Sequence, residues 1–250
     1  MRRLLPDPGP PDDGALDDAG LVAAYRLPPG RSVRVNFVAS LDGAITVSGR
    51  SAGLGSPGDK RIFDLLRALA DVVLVGHGTA SAEGYGPITA GSRVGRLRES
   101  LGRPATAPIA VVSRRASLDP RSELATGPTI LVTCEAAGAA RRAALAEAGV
   151  SVLVCGDDDV DLPTALHQLA DRGLEQVLCE GGPQLLHAGL TAGVVDELDL
   201  SIAPALVGGE ARLLGSALPD AVRLELRQLL EEDGTLFARY ALEAAAPGSR

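Results

Sequence analysis

Three short runs in this 250-residue sequence close an apolar stretch with residue types that bind phosphate. The first is Glu180-Gly181-Gly182-Pro183, which follows the apolar run 176–179 and opens a helical pattern reaching about residue 192. Two successive glycines let a backbone approach a ligand closely. The next helix N-terminus, with Gln184 and Leu185 in its first turn, offers free N–H groups and the positive end of its dipole, which suit a pyrophosphate. The spacing is not G-x-G-x-x-G, so a Rossmann site is not expected. An ordinary strand-to-helix turn explains the run equally well. The second run is Gly76-His77-Gly78-Thr79, where a hydroxyl beside flexible backbone suits a phosphate or a ribose. Taken alone it reads better as a plain turn, with His77 on the surface. The third is Ser113-Arg114-Arg115. A hydroxyl and two cations at a strand end fit a phosphate monoester, such as the 2′-phosphate that separates NADP from NAD. A solvated basic turn is at least as good a reading of that run by itself.

Other chemistries lack their residues. There is no H-x-E with P-C-x-x-C, which excludes a zinc deaminase at motif level. No G-x-S-x-G and no P-loop occurs. Cys134, Cys155 and Cys179 are far apart, form no C-x-x-C pair and read as small core residues, so neither a disulfide framework nor a metal site is expected. His167 and His187 fall in helical patterns and read as structural or surface residues. With no nucleophile and no metal set, the chemistry must come from a bound cofactor.

The elements that hold these runs follow from periodicity. Strands are expected from about residue 33, ending at Ser40-Leu41-Asp42-Gly43, and at 72–75, 109–112, 130–133, 152–155 and 176–179. Helices are expected over 57–70, 137–148 and 161–172. Residues 81–107 read as a long surface loop with room for one short helix, and loops of that length are often functional. Three alternating runs, 197–202, 222–229 and 235–242, follow, the last two around the hairpin-like turn Glu231-Glu232-Asp233-Gly234. The expected fold is α/β: a mainly parallel mixed sheet with helices on both faces and a C-terminal antiparallel hairpin. Residues 1–30, rich in Pro, Asp and Gly over 6–20, read as a flexible arm, and 31–245 as a single domain.

Composition narrows the class. A hydrophobic fraction of 46% supports one sizeable core. The net charge of −8 argues against general nucleic-acid binding, and three Phe, three Tyr and no Trp argue against stacking platforms. No apolar run reaches the length of a signal peptide or a membrane span, so a cytoplasmic protein with a small-molecule substrate is expected.

Several of these segments together carry a resemblance. Asn36-Phe37-Val38-Ala39-Ser40-Leu41-Asp42-Gly43, Ser56-Pro57, Leu65-Leu66-Arg67, 71–79, Glu180-Gly181-Gly182-Pro183, Val195-Asp196-Glu197-Leu198, Ile202-Ala203-Pro204 and Val207-Gly208-Gly209 occur in the order seen in the riboflavin-biosynthesis pyrimidine reductases. The chain resembles the reductase half of the bifunctional deaminase–reductase, in the stand-alone form found in actinobacteria, over about residues 33–243. The resemblance implies a dihydrofolate-reductase-like fold, a homodimer and NADPH as cofactor. Its pyrophosphate would lie on Gly181, Gly182, Pro183, Gln184 and Leu185, with further contacts from Ala39, Gly53, Gly76, Thr79, Glu83, Ser113 and Arg114. Ser51, Arg67 and Glu180 match substrate positions. The implied reaction is hydride transfer to C1′ of a ribosylamino-pyrimidine, 5-amino-6-(5-phosphoribosylamino)uracil, opening the ribose to a ribityl chain. One stretch departs: Glu83-Gly84-Tyr85-Gly86-Pro87-Ile88-Thr89 stands where the family carries Asp-Asp-Pro and then Leu-Thr-x-Arg. Glu83 takes the place of the first Asp, and Arg93 is the nearest candidate for the phosphate-binding Arg. The alternatives this leaves are a pterin reductase, acting for instance on dihydrofolate, and a non-catalytic NADP(H)-binding protein.

Overall fold

The runs 72–75, 109–112 and 130–133 are apolar without alternation, the pattern of parallel strands covered on both faces. The structure, a computed structural model describing residues 1–7 and 14–243, places them at the centre of one sheet. Its parallel strands are β2 (Ser32–Ser40), β3 (Val72–Gly76), β4 (Ile109–Val112), β5 (Thr129–Thr133), β6 (Ser151–Val154), β7 (Gln176–Cys179) and β8 (Glu197–Ala203). β1 (Arg2–Leu5), β9 (Leu224–Glu232) and β10 (Thr235–Leu242) complete it antiparallel, in the order β1-β9-β10-β8-β2-β7-β3-β4-β5-β6.

Successive residues of each central strand enter different cores. Val73, Val75, Ile109, Val111 and Leu131 pack with α1 (Asp18–Tyr25), α2 (Pro57–Leu69), α4 (Arg93–Ser100) and α5 (Ala139–Glu147). Val72, Leu74, Ala110, Ile130 and Val132 pack with α6 (Leu162–Ala170) and α7 (Pro183–Thr191). Cys134, Cys155 and Cys179 are buried free thiols. Helix α2 starts where Ser56 accepts the Asp59 N–H at 3.1 Å and Pro57 fills the first turn. The final hairpin turns on two residues, Asp233 and Gly234, both at positive φ (52° and 79°), the backbone of a type I′ turn.

Two regions differ from the sequence reading. The segment 1–30, expected as a flexible arm, contains β1, paired with β9, and α1, whose Leu21 and Tyr25 are buried; residues 8–13 lie outside the described residues. Helix α1 has eight residues, too few for its period to stand out among Pro, Asp and Gly, and it is held by tertiary burial. Gly76-His77-Gly78-Thr79, expected as a turn, is the start of helix α3 (His77–Glu83), which ends at Gly84 in the left-handed region. The loop expected over 81–107 accordingly holds the end of α3 and the whole of α4.

The strand order places the site. β7 lies between β2 and β3. The chain leaves the carboxyl end of β7 at Glu180, directly beside the ends of its two neighbours. Such a reversal in strand order opens a crevice outside the carboxyl ends.

Candidate functional site

Two adjoining cavities occupy that crevice. The first, of about 390 Å³, is lined by Asn36, Phe37, Ser51, Asp59, Lys60, Phe63, Glu83, Tyr85 and Glu180, among others. The second, of about 550 Å³, is lined by Gly76, Ser113, Arg114, Arg115, Gln184 and Leu185, among others. Gly78, Thr79, Gly182 and Pro183 border both.

The seam between them is backbone brought close. The Gly76 N–H donates to the Gly181 carbonyl at 2.7 Å, and the Glu180 N–H donates to the Leu74 carbonyl at 2.9 Å, so the Gly-Gly turn continues the sheet edge. Neither glycine has room for a side chain. A Cβ on Gly181, which sits at φ 83°, would lie 2.5 Å from the Phe37 ring; one on Gly182 would lie 2.6 Å from Thr79 Oγ1. Gly182 caps α7 with no side chain covering the first N–H groups, which leaves them for an anion. This cradle, continued by Arg114 and Arg115 in the second cavity, offers N–H groups and positive charge to an anionic ligand. Ser113 is buried, its hydroxyl accepting the Ser117 N–H at 2.9 Å, while Arg114 is exposed and donates to the Asp158 carbonyl at 2.8 Å.

The first cavity is built on one face of α2. Asp59, Phe63 and Arg67 follow at intervals of four, which stacks them along one stripe of the helix, each partly exposed, while Ile62, Leu65 and Leu66 are buried. Arg67 does not line the cavity. Its Nε and Nη2 donate to the two oxygens of Glu180, each at 2.7 Å, and the Tyr85 hydroxyl donates to Glu180 Oε2 at 2.6 Å. The guanidinium lies between the Phe63 and Tyr85 rings, 4.2 and 4.9 Å from their centroids. Burial alone would favour the neutral guanidine, but the Glu180 charge outweighs it and holds Arg67 firmly cationic. Burial, reinforced by the same carboxylate, pushes the Tyr85 hydroxyl well above its ordinary value and keeps it a donor. Asp59 is pushed up by burial, with the Ser201 hydroxyl working in the opposite direction. Glu83 accepts the Ser51 N–H at 2.8 Å, which ties the turn after β2 to α3.

The residues read from the sequence thus fall into four groups. Ser51, Glu83 and Glu180 line the first cavity; Gly76, Ser113, Arg114, Gln184 and Leu185 the second; Thr79, Gly182 and Pro183 both. Ala39, Gly53, Arg67 and Gly181 border neither. Ala39 is buried in the sheet, and a Cβ on Gly53 would meet Val47 at 2.7 Å. Arg93 lies 3.2 Å from the buried Asp64, which also pairs with Lys60. Sequence reasoning did not single out Asp59, Lys60, Phe63 and Tyr85. The four-residue spacing of Asp59, Phe63 and Arg67 was a usable signal for Asp59 and Phe63, whereas nothing local marked Lys60 or Tyr85. Among the described residues no group of three or more His, Cys, Asp or Glu is placed to hold a metal, and no helix is long and apolar enough to cross a membrane.

Comparison with known proteins gives consistent matches. Residues 31–235 match the RibD C-terminal domain. The 2,5-diamino-6-ribosylamino-4(3H)-pyrimidinone 5′-phosphate reductase of Methanothermobacter thermautotrophicus is 31% identical over 84% of this chain and 98% of its own length. The crystal structure of a pyrimidine reductase-like protein from Corynebacterium diphtheriae superposes with a TM-score of 0.74 at 30% identity, over 86% of this chain and 93% of the other. The Thermotoga maritima diaminohydroxyphosphoribosylaminopyrimidine deaminase/5-amino-6-(5-phosphoribosylamino)uracil reductase shares the fold, with a TM-score of 0.66 at 15% identity over 86% of this chain and 57% of the other.

Proposed function

The chain belongs to the RibD C-terminal domain family, and from that premise we propose that it uses NADPH to reduce a ribosylamino-pyrimidine 5′-phosphate. It is an oxidoreductase of the riboflavin-biosynthesis pyrimidine reductase class. The observation that carries the finer reading is the pair of cavities meeting at Thr79 and Gly182, with cations at the far end and carboxylates beside aromatic rings at the near end. NADPH would be held at its pyrophosphate by the Gly182–Leu185 turn, and at its 2′-phosphate by Ser113, Arg114 and Arg115. When bound it supplies a hydride.

The protein's own part is alignment and exclusion of water. Phe37 and Phe63 wall the near cavity. Ser51 and Glu83 border it together, and Glu180 faces it from the end of β7. Arg67, proposed from the sequence as an anion binder, acts in this reading through Glu180, which it neutralises and orients. The sugar phosphate then falls to Lys60 on the near wall and to Arg93, which shares Asp64 with it. A second reading, reduction of an unphosphorylated pterin, is favoured by that same arrangement, because Lys60 is, among the described residues, the one cation on the near wall and already has a partner. Following NADPH oxidation with the phosphoribosylamino-pyrimidine and with dihydrofolate in parallel separates the two. A cytoplasmic setting, a single domain over 31–245 and a homodimer complete the proposal. The dimer is supported by exposed Leu41, Leu206, Val207 and Leu224, and is tested by sedimentation.

A further inference from the structure

We infer that Arg98, which lines neither cavity, is a positioning residue that sets Arg67, Tyr85 and Glu180 in one geometry, the substrate wall on the reductase reading above.

Helix α2 ends without a left-handed glycine. Its C-cap is Ala70 in extended backbone (φ −75°, ψ 152°), whose N–H meets the Leu66 carbonyl at 3.0 Å. Later carbonyls fall to Arg98, from the last turn of α4. Its Nη1 donates toward the carbonyls of Arg67, Ala68 and Ala70 at 3.1, 3.3 and 2.6 Å, and its Nε to that of Pro104 at 2.7 Å. Arg98 is 3% exposed. Burial, and then Arg103, lower its pKa to about 10 against the pull of Asp71, so it stays cationic at neutral pH. A buried cation held on carbonyls is a costly way to close a helix that a glycine would close as well.

All three members of the cluster are fastened at this corner. Arg67 lies in the α2 turn whose carbonyls Arg98 takes. Tyr85 lies between α3 and α4, on a segment that returns closely over α4. A Cβ on Gly95 would strike the Thr89 carbonyl and lie 2.8 Å from that of Ala90. Ser92 caps α4 by accepting the Gly95 N–H at 3.0 Å, and Arg93 reaches back to Asp64 of α2 at 3.2 Å. Glu180 follows β7, and Asp71 holds the start of that strand. Asp71 Oδ2 accepts the Glu175 and Gln176 N–H groups at 3.0 and 2.8 Å, while Oδ1 pairs with Arg103. The Arg103 N–H in turn donates to the Arg98 carbonyl at 2.9 Å. The carboxylate that faces the near cavity is thus held by way of residues that do not line it.

Arg98→Lys keeps the buried charge and removes the fork of donors. The first readout needs no ligand: with the tyrosines isotope-labelled at the ring Cζ, the Tyr85 NMR resonance should move while that of Tyr240 stays. The sequence has only three tyrosines, which makes assignment direct. The second is turnover. kcat/KM for the phosphoribosylamino-pyrimidine should fall about tenfold, against the roughly hundredfold that a 1 Å misplacement can cost, with the NADPH Kd unchanged. In combination with Tyr85→Phe the loss should match that of the larger single variant, because both substitutions act on Glu180. A merely structural cap would lower Tm and leave the Tyr85 resonance and kcat/KM of the folded protein in place. That result overturns the inference, as does a loss that adds in full to that of Tyr85→Phe. If Arg98→Lys does not fold, Arg103→Gln opens the same corner from the β7 side at a side chain 26% exposed, and is read in the same way. A wild type that leaves the pyrimidine unreduced sinks the reductase reading alone, and the Tyr85 resonance then decides for or against Arg98.

Discussion

Arg67 and Glu180 form a buried ion pair, with side chains 15% and 2% exposed, and Tyr85 closes it from the cavity side. Breaking such a pair from one end leaves an uncompensated charge, which costs roughly 3–5 kcal/mol. Arg67→Ala should therefore lower stability by that order in a denaturant titration, besides raising the substrate KM; a variant as stable as wild type would show the pair to be unimportant. Tyr85→Phe is the finer probe, because it keeps the ring over Arg67 and removes only the donor to Glu180 Oε2. A hydrogen bond to a charged group is worth about 1.5–3 kcal/mol, so kcat/KM for the pyrimidine should fall about tenfold or more while NADPH affinity holds. In the far cavity, Arg114→Ala and Arg115→Ala should weaken NADPH and spare NADH. Equal loss for both cofactors in competition titrations would remove the 2′-phosphate role. The glycines and Ser-Arg-Arg were legible in the sequence because strand ends announce themselves locally. The commitment of Arg67 to Glu180 was not, since it joins residues 113 positions apart.

At the scale of elements, two junctions carry predictions. The start of α7 must stay bare, because a Cβ at Gly182 meets Thr79 Oγ1 at 2.6 Å. Gly182→Val should abolish the rise in Tm that NADPH causes in wild type, and a folded variant with unchanged NADPH affinity would remove the cofactor from this turn. The second junction is the turn after β2. Asp42 accepts the Val207 and Gly208 N–H groups at 3.1 and 2.7 Å and so pins the loop after β8. The Ser40 hydroxyl first, and then these two N–H groups, lower its pKa from 3.8 to about 2. A depressed carboxylate stabilises above its unfolded pKa and loses that contribution as pH falls through the folded value. The clip should hold at neutral pH and loosen between about pH 4 and 2. Amide exchange at Val207 and Gly208 should accelerate across that window, and pH-independent protection there would contradict it. The parallel strands and the hairpin were readable because continuous apolar runs and Asp-Gly turns are local signals. Helix α1 was not, because its eight residues are fixed by packing Leu21 and Tyr25 under the sheet.

At the scale of the molecule, strand order does what no single motif does. Inserting β7 between β2 and β3 brings Glu180, the end of β2 and Thr79 to one crevice, although they are far apart in the chain. From the sequence, that convergence was available only through the ordered resemblance of many segments, since the pairing of non-neighbouring strands has no local signature. The most direct test of the whole account is a steady-state assay of the purified protein with the phosphoribosylamino-pyrimidine, run with NADPH and with NADH. The account predicts stoichiometric oxidation of NADPH with formation of the ribitylamino product, a markedly higher kcat/KM with NADPH than with NADH, and loss of activity in Gly182→Val. A wild-type protein that binds NADPH but leaves the pyrimidine unreduced, while reducing dihydrofolate or nothing, would contradict it.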